Sequence, residues 1–212
     1  MSGYFLKNGF PIGAEVLFII AAVLLPSTWL IYISFLFYAL VLGYFVTKSD
    51  FSLSAWQNAE EEGESFWIPV LLTVLALLIC FLFTGMLESR FPDMESGHFQ
   101  MAVDSWLELI LFAITAMVLT PLAEELFYRR SLISFHSPLS LIITVLLSLL
   151  LYSLEHGVNP LGILTTVIWG LPLTVSYVRT RNFYIPLTAH FIANRFRNGL
   201  TRITLINFQL PK

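Results

Sequence analysis

The chain has 212 residues, 57% hydrophobic and 12% charged, with a net charge of −3 and a mean hydropathy of +0.80. Soluble domains carry about 25% charged residues, so this composition excludes an ordinary soluble globule and predicts an all-α, polytopic transmembrane helix bundle. No basic stripe points to nucleic acid, and the lone Cys80 allows no intrachain disulfide and reads as a packed thiol.

Crossing a bilayer takes about 17–25 apolar residues. The run 12–25 is a short candidate because it carries Glu15, whereas 29–46 is a clean span. A polar loop, 47–66, holds the solvated acidic run Glu60 to Glu64, and 67–87 forms the third span. A second acidic loop, 88–105, contains His98, read as exposed and silent. The fourth helix runs from Trp106 to about Ser134, and the fifth from Pro138 to His156. Asn159-Pro160 breaks the chain before a sixth span, 161–178, and Tyr184 opens a seventh that ends near Asn194. The expected total is therefore about seven spans, within a range of six to eight, in one transmembrane domain over 1–212. No cleavable signal peptide is apparent, and the tail 195–212 alternates basic and apolar residues. Lys7, Lys48, Arg129, Arg130, Arg179 and Arg181 fall on one side of this plan, which predicts a plasma-membrane protein with a cytoplasmic N-terminus.

The fourth helix carries the polar residues that need explaining. Glu124, Glu125 and Arg129 follow an apolar run, where each charge costs roughly 2.5–3.5 kcal/mol at a helix centre and so marks a functional site. Glu125 and Arg129 are four apart with the acid first, the favoured order for a pair on one face. Glu124 points about 100° away around the helix, without an arginine at that spacing. One carboxylate is thus braced and the other is left for chemistry. Tyr152 and His156 share a face of the fifth helix, and His190 and Asn194 share one of the seventh. Glu155 sits beside His156 at the expected membrane edge, and His136 precedes a turn. Gathered inside a bundle, this set supports hydrolysis, in which a desolvated glutamate takes a proton from water and Asn and His donors stabilise an oxyanion. The set would, through the same carboxylates and histidines, also suit a proton or ion relay of the transporter kind, with hydrolysis modestly ahead. Its Glu and His content permits a metal site, although no His-Glu-x-x-His helix occurs.

Three motifs in order resemble those of the CPBP family, the CAAX-protease and bacteriocin-processing (Abi) intramembrane proteases. Glu124-Glu125-x-x-x-Arg129 is similar to the family's Glu-Glu-x-x-x-Arg, Tyr152-x-x-x-His156 to Phe-x-x-x-His, and His190-x-x-x-Asn194 to His-x-x-x-Asn. The resemblance covers residues 105–197 and makes that part the catalytic core, with the generic spans and acidic loops in 1–104. It implies an intramembrane endopeptidase acting on a CAAX-like, leader or other membrane-associated peptide or protein substrate in the lipid bilayer. Glu124 would activate water, His156 would help bind it, and His190 and Asn194 would support the oxyanion. Glu125, Arg129 and Tyr152 would support the site. A divalent metal such as zinc is not required by this chemistry; if present, its ligands would be Glu124, His156 and His190. Tyr152 departs from the family's Phe, and the 18 residues after Asn194 lead us to expect that a final helix of longer members is absent or rudimentary. A non-catalytic scaffold or immunity protein on the same fold is the first alternative, and a small proton-coupled transporter the second.

One geometrical expectation is sharp. If the hairpin turns near His136, Glu124 and His156 differ in depth by about 12 Å at 1.5 Å per residue. The fourth helix must then run past Arg130, or the fifth must tilt or bend, for the two side chains to come within about 8 Å.

Overall fold

The computed structural model describes residues 2–48 and 50–209, with side-chain surroundings for 7–48 and 50–196. Helix α1 spans Ser2–Leu24, α2 Leu30–Thr47, α3 Leu53–Glu60 and α4 Glu64–Arg90. Helix α5 spans Trp106–Ser131, α6 Pro138–His156, α7 Pro160–Thr180 and α8 Tyr184–Gln209. No strand occurs among the described residues.

Six helices among the described residues are long and apolar enough to cross a membrane: α1, α2, α4, α5, α6 and α7. With no water to compete, polar side chains bridge neighbouring spans. Thr73 Oγ1 donates to Ser176 Oγ at 2.9 Å, and Trp169 Nε1 to Thr84 Oγ1 at 2.8 Å, tying α7 to α4. The faces turned outward are apolar, as at Leu71, Ile79 and Leu82 of α4 and Ile142, Leu146 and Leu150 of α6. The protein is therefore an integral membrane helix bundle.

Local chemistry sets the helix ends. The Ser105 hydroxyl accepts from the Glu108 N–H and starts α5, while the Glu108 carboxylate reaches back to the Asp104 N–H at 2.8 Å. Ser137 caps α6 in the same way, with Pro138 in its first turn. Gly170 on α7 is a close-approach glycine, because a Cβ there would sit 2.9 Å from the Tyr152 ring of α6.

Several expectations change. Helix α1 begins at Ser2, well before residue 12, and its polar Asn8 is fully buried. Asn8 Oδ1 accepts from Ser131 Oγ at 2.6 Å, so the first turns of α1 are anchored to the end of α5. The loop 47–66 contains the short helix α3. The six candidate spans fall within the expected six to eight, and the seventh segment runs on into side chains outside the described residues. Over its described side chains α8 packs inside the bundle, and residues 183–190 are all buried. Tail side chains 197–212 lie outside the described residues. His98 is not exposed and silent. It stacks on Trp169 with centroids 5.0 Å apart, and its Nε2 lies 3.1 Å from Thr165 Oγ1. The loop that carries it folds back over the bundle, with Phe99 N–H donating to the His156 carbonyl at 2.9 Å. His136 stays exposed in its turn.

The α5–α6 hairpin resolves the depth mismatch. Helix α5 ends at Ser131, and the connection then runs on beside α6, with Ser134 N–H donating to Thr144 Oγ1 at 3.0 Å. Ser148 Oγ donates to the Tyr128 carbonyl at 2.7 Å. These two contacts place the reversal near Pro138 and set Tyr152 opposite Glu124, leaving His156 one turn beyond. Helical side chains lean toward their own N-terminus, so in this antiparallel pair Glu124 and His156 lean toward each other.

Candidate active site

Glu124 is 1% exposed and meets groups from three other helices. Tyr38 of α2 donates its hydroxyl to Glu124 Oε1 at 3.2 Å. His156 Nε2 of α6 lies 3.8 Å from Oε1, and His190 Nε2 of α8 lies 3.8 Å from Oε2. Neither histidine contact is short enough for a hydrogen bond, and at such separations a bridging water is the first thing to consider. A cavity of about 170 Å³ opens beside these groups, lined also by Tyr152, Asn194, Phe112 and Thr120.

The outer nitrogens fix the tautomers. His156 Nδ1 is 2.9 Å from the Tyr152 carbonyl, which only accepts, so Nδ1 carries the proton. His190 Nδ1 is 2.9 Å from Glu125 Oε1, and Arg129 Nη1 lies 3.3 Å from the same oxygen. Glu125 thus accepts from His190 Nδ1, and each ring turns its Nε2 edge toward Glu124. Arg129 is fully buried, lies over the Tyr152 ring with Cζ 4.6 Å from its centroid, and donates Nη2 to the Gly170 carbonyl at 3.4 Å. The expected i,i+4 pair therefore exists, and it extends across to α8 through His190.

Asn194 reaches the site by a route that local chemistry explains. Residues Thr115–Leu119 form a π turn, in which each N–H reaches back five residues, and the Thr120 N–H bonds the Thr115 carbonyl. The next donor in that pattern is Pro121, which has no N–H, so the Ala116 carbonyl loses its helical partner. Asn194 Nδ2 supplies the missing donor at 3.1 Å. A second π turn, Glu125–Ser131, carries Arg129.

All seven residues picked from the sequence, Glu124, Glu125, Arg129, Tyr152, His156, His190 and Asn194, thus lie around one cavity or in contact with its walls. Three that the sequence did not assign to the site, where Glu15 and Glu155 are named only for their positions, lie beside them. Tyr38 was hidden in a uniformly apolar span. Glu155 is 3% exposed, not at a wet edge, and accepts a hydrogen bond from the Tyr128 hydroxyl. Glu15 is fully buried, with the Tyr128 hydroxyl and Glu155 as its polar neighbours and no hydrogen bond of good geometry to either oxygen. The buried acid was itself a signal, but no spacing tied Glu15 to residues over a hundred positions away.

Glu124, His156 and His190 are a donor set of the zinc kind, and each ring has its Nδ1 against a carbonyl or carboxylate, as ligating histidines of metal sites do. Their geometry does not match one. The two Nε2 atoms approach different oxygens of Glu124, and among the described residues no three His, Cys, Asp or Glu side chains converge on an ion position.

No curated protein and no solved structure matches the chain. Residues 106–196 match a family model, that of the type II CAAX prenyl endopeptidases, Rce1-like. This segment holds all three motifs and the whole α5–α6 hairpin, and over it the chain is similar to the CAAX-type proteases of the CPBP family.

Proposed function

We propose that the protein is an intramembrane endopeptidase in which Glu124 activates water for attack on a peptide bond. The observation that carries this reading is the placement of both histidine Nε2 atoms 3.8 Å from Glu124, at the wall of a cavity within the spans. A water beside them gives one O–H to Glu124 and the other to His156 Nε2, leaving its lone pair toward the substrate carbonyl. As the C–O bond forms, the proton passes to Glu124. The carbonyl oxygen becomes an oxyanion, stabilised by the second N–H of the Asn194 amide. The C–N bond then breaks, and Glu124 returns the proton to the leaving amine. Glu125 and Arg129 hold His190 in place, and no step uses a metal.

The likeness over 106–196 supports a membrane-associated peptide as the substrate class, with a CAAX-like prenylated tail as one candidate beside leader and other membrane peptides. The test compares membranes expressing wild type with membranes expressing Glu124→Gln at equal levels. Mass spectrometry of released peptides and new protein termini is the readout. Termini made only by wild type, with a loss of about 10²–10⁴-fold in the variant, are the expected result. Identical profiles with the biological effect retained would move the assignment to a non-catalytic binding role on the same fold.

A further inference from the structure

A second cavity, about 570 Å³ and open to the surface, lies where α5 and α7 end and α8 begins, beside α3. No described residue lines both cavities. Two arginines face it, Arg130 and Arg181, with Asn58, Glu62 and Asn182. We propose that this cavity binds the phosphate of a phospholipid headgroup.

Four observations support the assignment. Each guanidinium lies over an aromatic ring, Arg130 Cζ 4.6 Å from the Phe183 centroid and Arg181 Cζ 4.8 Å from that of Phe135. That contact restricts each side chain while leaving its N–H donors for two-point binding of a phosphate. The charges are also incompletely matched. Arg130 approaches Asp50 only through Nε at 3.7 Å, and Asp50 is shared with Lys7 at 3.2 Å. Among the described residues Arg181 has no carboxylate within ion-pair distance, and the one acid lining the cavity is the exposed Glu62.

The backbone supplies a third, independent observation. Arg181 is the only described non-glycine residue with a positive φ, at 55°. It follows the end of α7, where the chain ordinarily uses glycine. Its neighbours hold it there: its own N–H bonds the Tyr177 carbonyl at 2.8 Å, and Asn182 Oδ1 caps α8 by accepting from the Tyr184 N–H at 3.0 Å. A residue kept in a strained conformation that glycine adopts freely is retained for its side chain. Finally, the surroundings are interfacial. Trp56 stacks on Tyr184 at 14° beside the cavity and donates Nε1 to Thr188, as amphipathic aromatics do at headgroup level. Basic pockets between spans at such a level are headgroup sites.

The experiment uses the purified full chain in detergent, with phosphatidylglycerol, a diacylglycerol lacking phosphate, and inorganic phosphate as separate probes. Native mass spectrometry counts retained lipid, and thermal melting reports the stabilisation that a ligand of the folded state confers. Wild type is expected to retain one phosphatidylglycerol and to melt higher with it, while the other two probes give neither effect. Arg181→Gly should weaken retention at least tenfold, yet its lipid-free form should melt no lower than wild type because glycine relieves the strained φ. Arg181→Gln, which keeps a long side chain without charge, should lose the lipid equally. Equal retention by both variants, or an equal shift from diacylglycerol, would overturn the proposal. A shift from inorganic phosphate as large as the lipid's would overturn the lipid assignment in favour of a soluble phosphate.

Discussion

Two groups of buried carboxyls flank α5, and they are built on opposite plans. On one side Glu125 is enclosed by Arg129 at 3.3 Å and His190 at 2.9 Å, so a charge buried in the membrane has its counter-charge and a hydrogen-bond donor. On the other side the hydrogen-bonding neighbours of Glu15 and Glu155 are phenols, and among the described residues neither has a cation within ion-pair distance. The contrast teaches that burial alone does not define a role. The first group is a brace that fails when any member is removed, and the second contains a carboxyl with no hydrogen bond of good geometry.

The comparison is broken or sharpened most strongly at Arg129. Arg129→Ala leaves Glu125 buried and unpaired, which should lower stability in detergent by about 3–5 kcal/mol; normal melting would remove the bracing role. Glu15→Leu should have the opposite sign. Its carboxyl oxygens have no hydrogen bond of good geometry, so replacing them with a methyl-ended side chain of similar size should stabilise the bundle by about 1–3 kcal/mol. A melting point below wild type would mean that Glu15 carries a bond the contrast denies it.

Smaller effects test the edges of the site. Pro121→Ala returns an N–H that can bond the Ala116 carbonyl, releasing Asn194 from it. Peptide cleavage should fall about tenfold, which corresponds to about 1.4 kcal/mol, while the fold is retained; unchanged cleavage would show that this bond does not place Asn194. Tyr152→Phe keeps the ring beneath Arg129 and should change cleavage by no more than about twofold. A larger loss would give the Tyr152 hydroxyl a part of its own.

What could be read from the sequence follows the same division. Glu125 and Arg129, Tyr152 and His156, and His190 and Asn194 are each four apart on one helix, where 3.6 residues per turn bring them together without any knowledge of the fold. Glu15, Tyr38 and Glu155 meet only across helices, and nothing local links them. The count of six candidate spans falls within the expected six to eight, because length and apolar composition are properties of each segment alone. His98 was misread because the fold-back of its loop depends on glycines. A Cβ at Gly162 would overlap the Ser96 carbonyl, and Gly97 has φ +63°, constraints that appear only when the two segments meet.

The isolation of Glu15 also bears on how the chain is made. Helix α1 leaves the ribosome first, and its packing neighbours Tyr128 and Glu155 are encoded more than a hundred residues later. At about 5–20 residues per second, α1 spends roughly 5–20 s in the translocon or at the membrane surface before those helices exist. During that interval its acid faces lipid or lingers at the interface, so the first span to be synthesised is expected to settle at full depth only when the hairpin of α5 and α6 arrives to receive it.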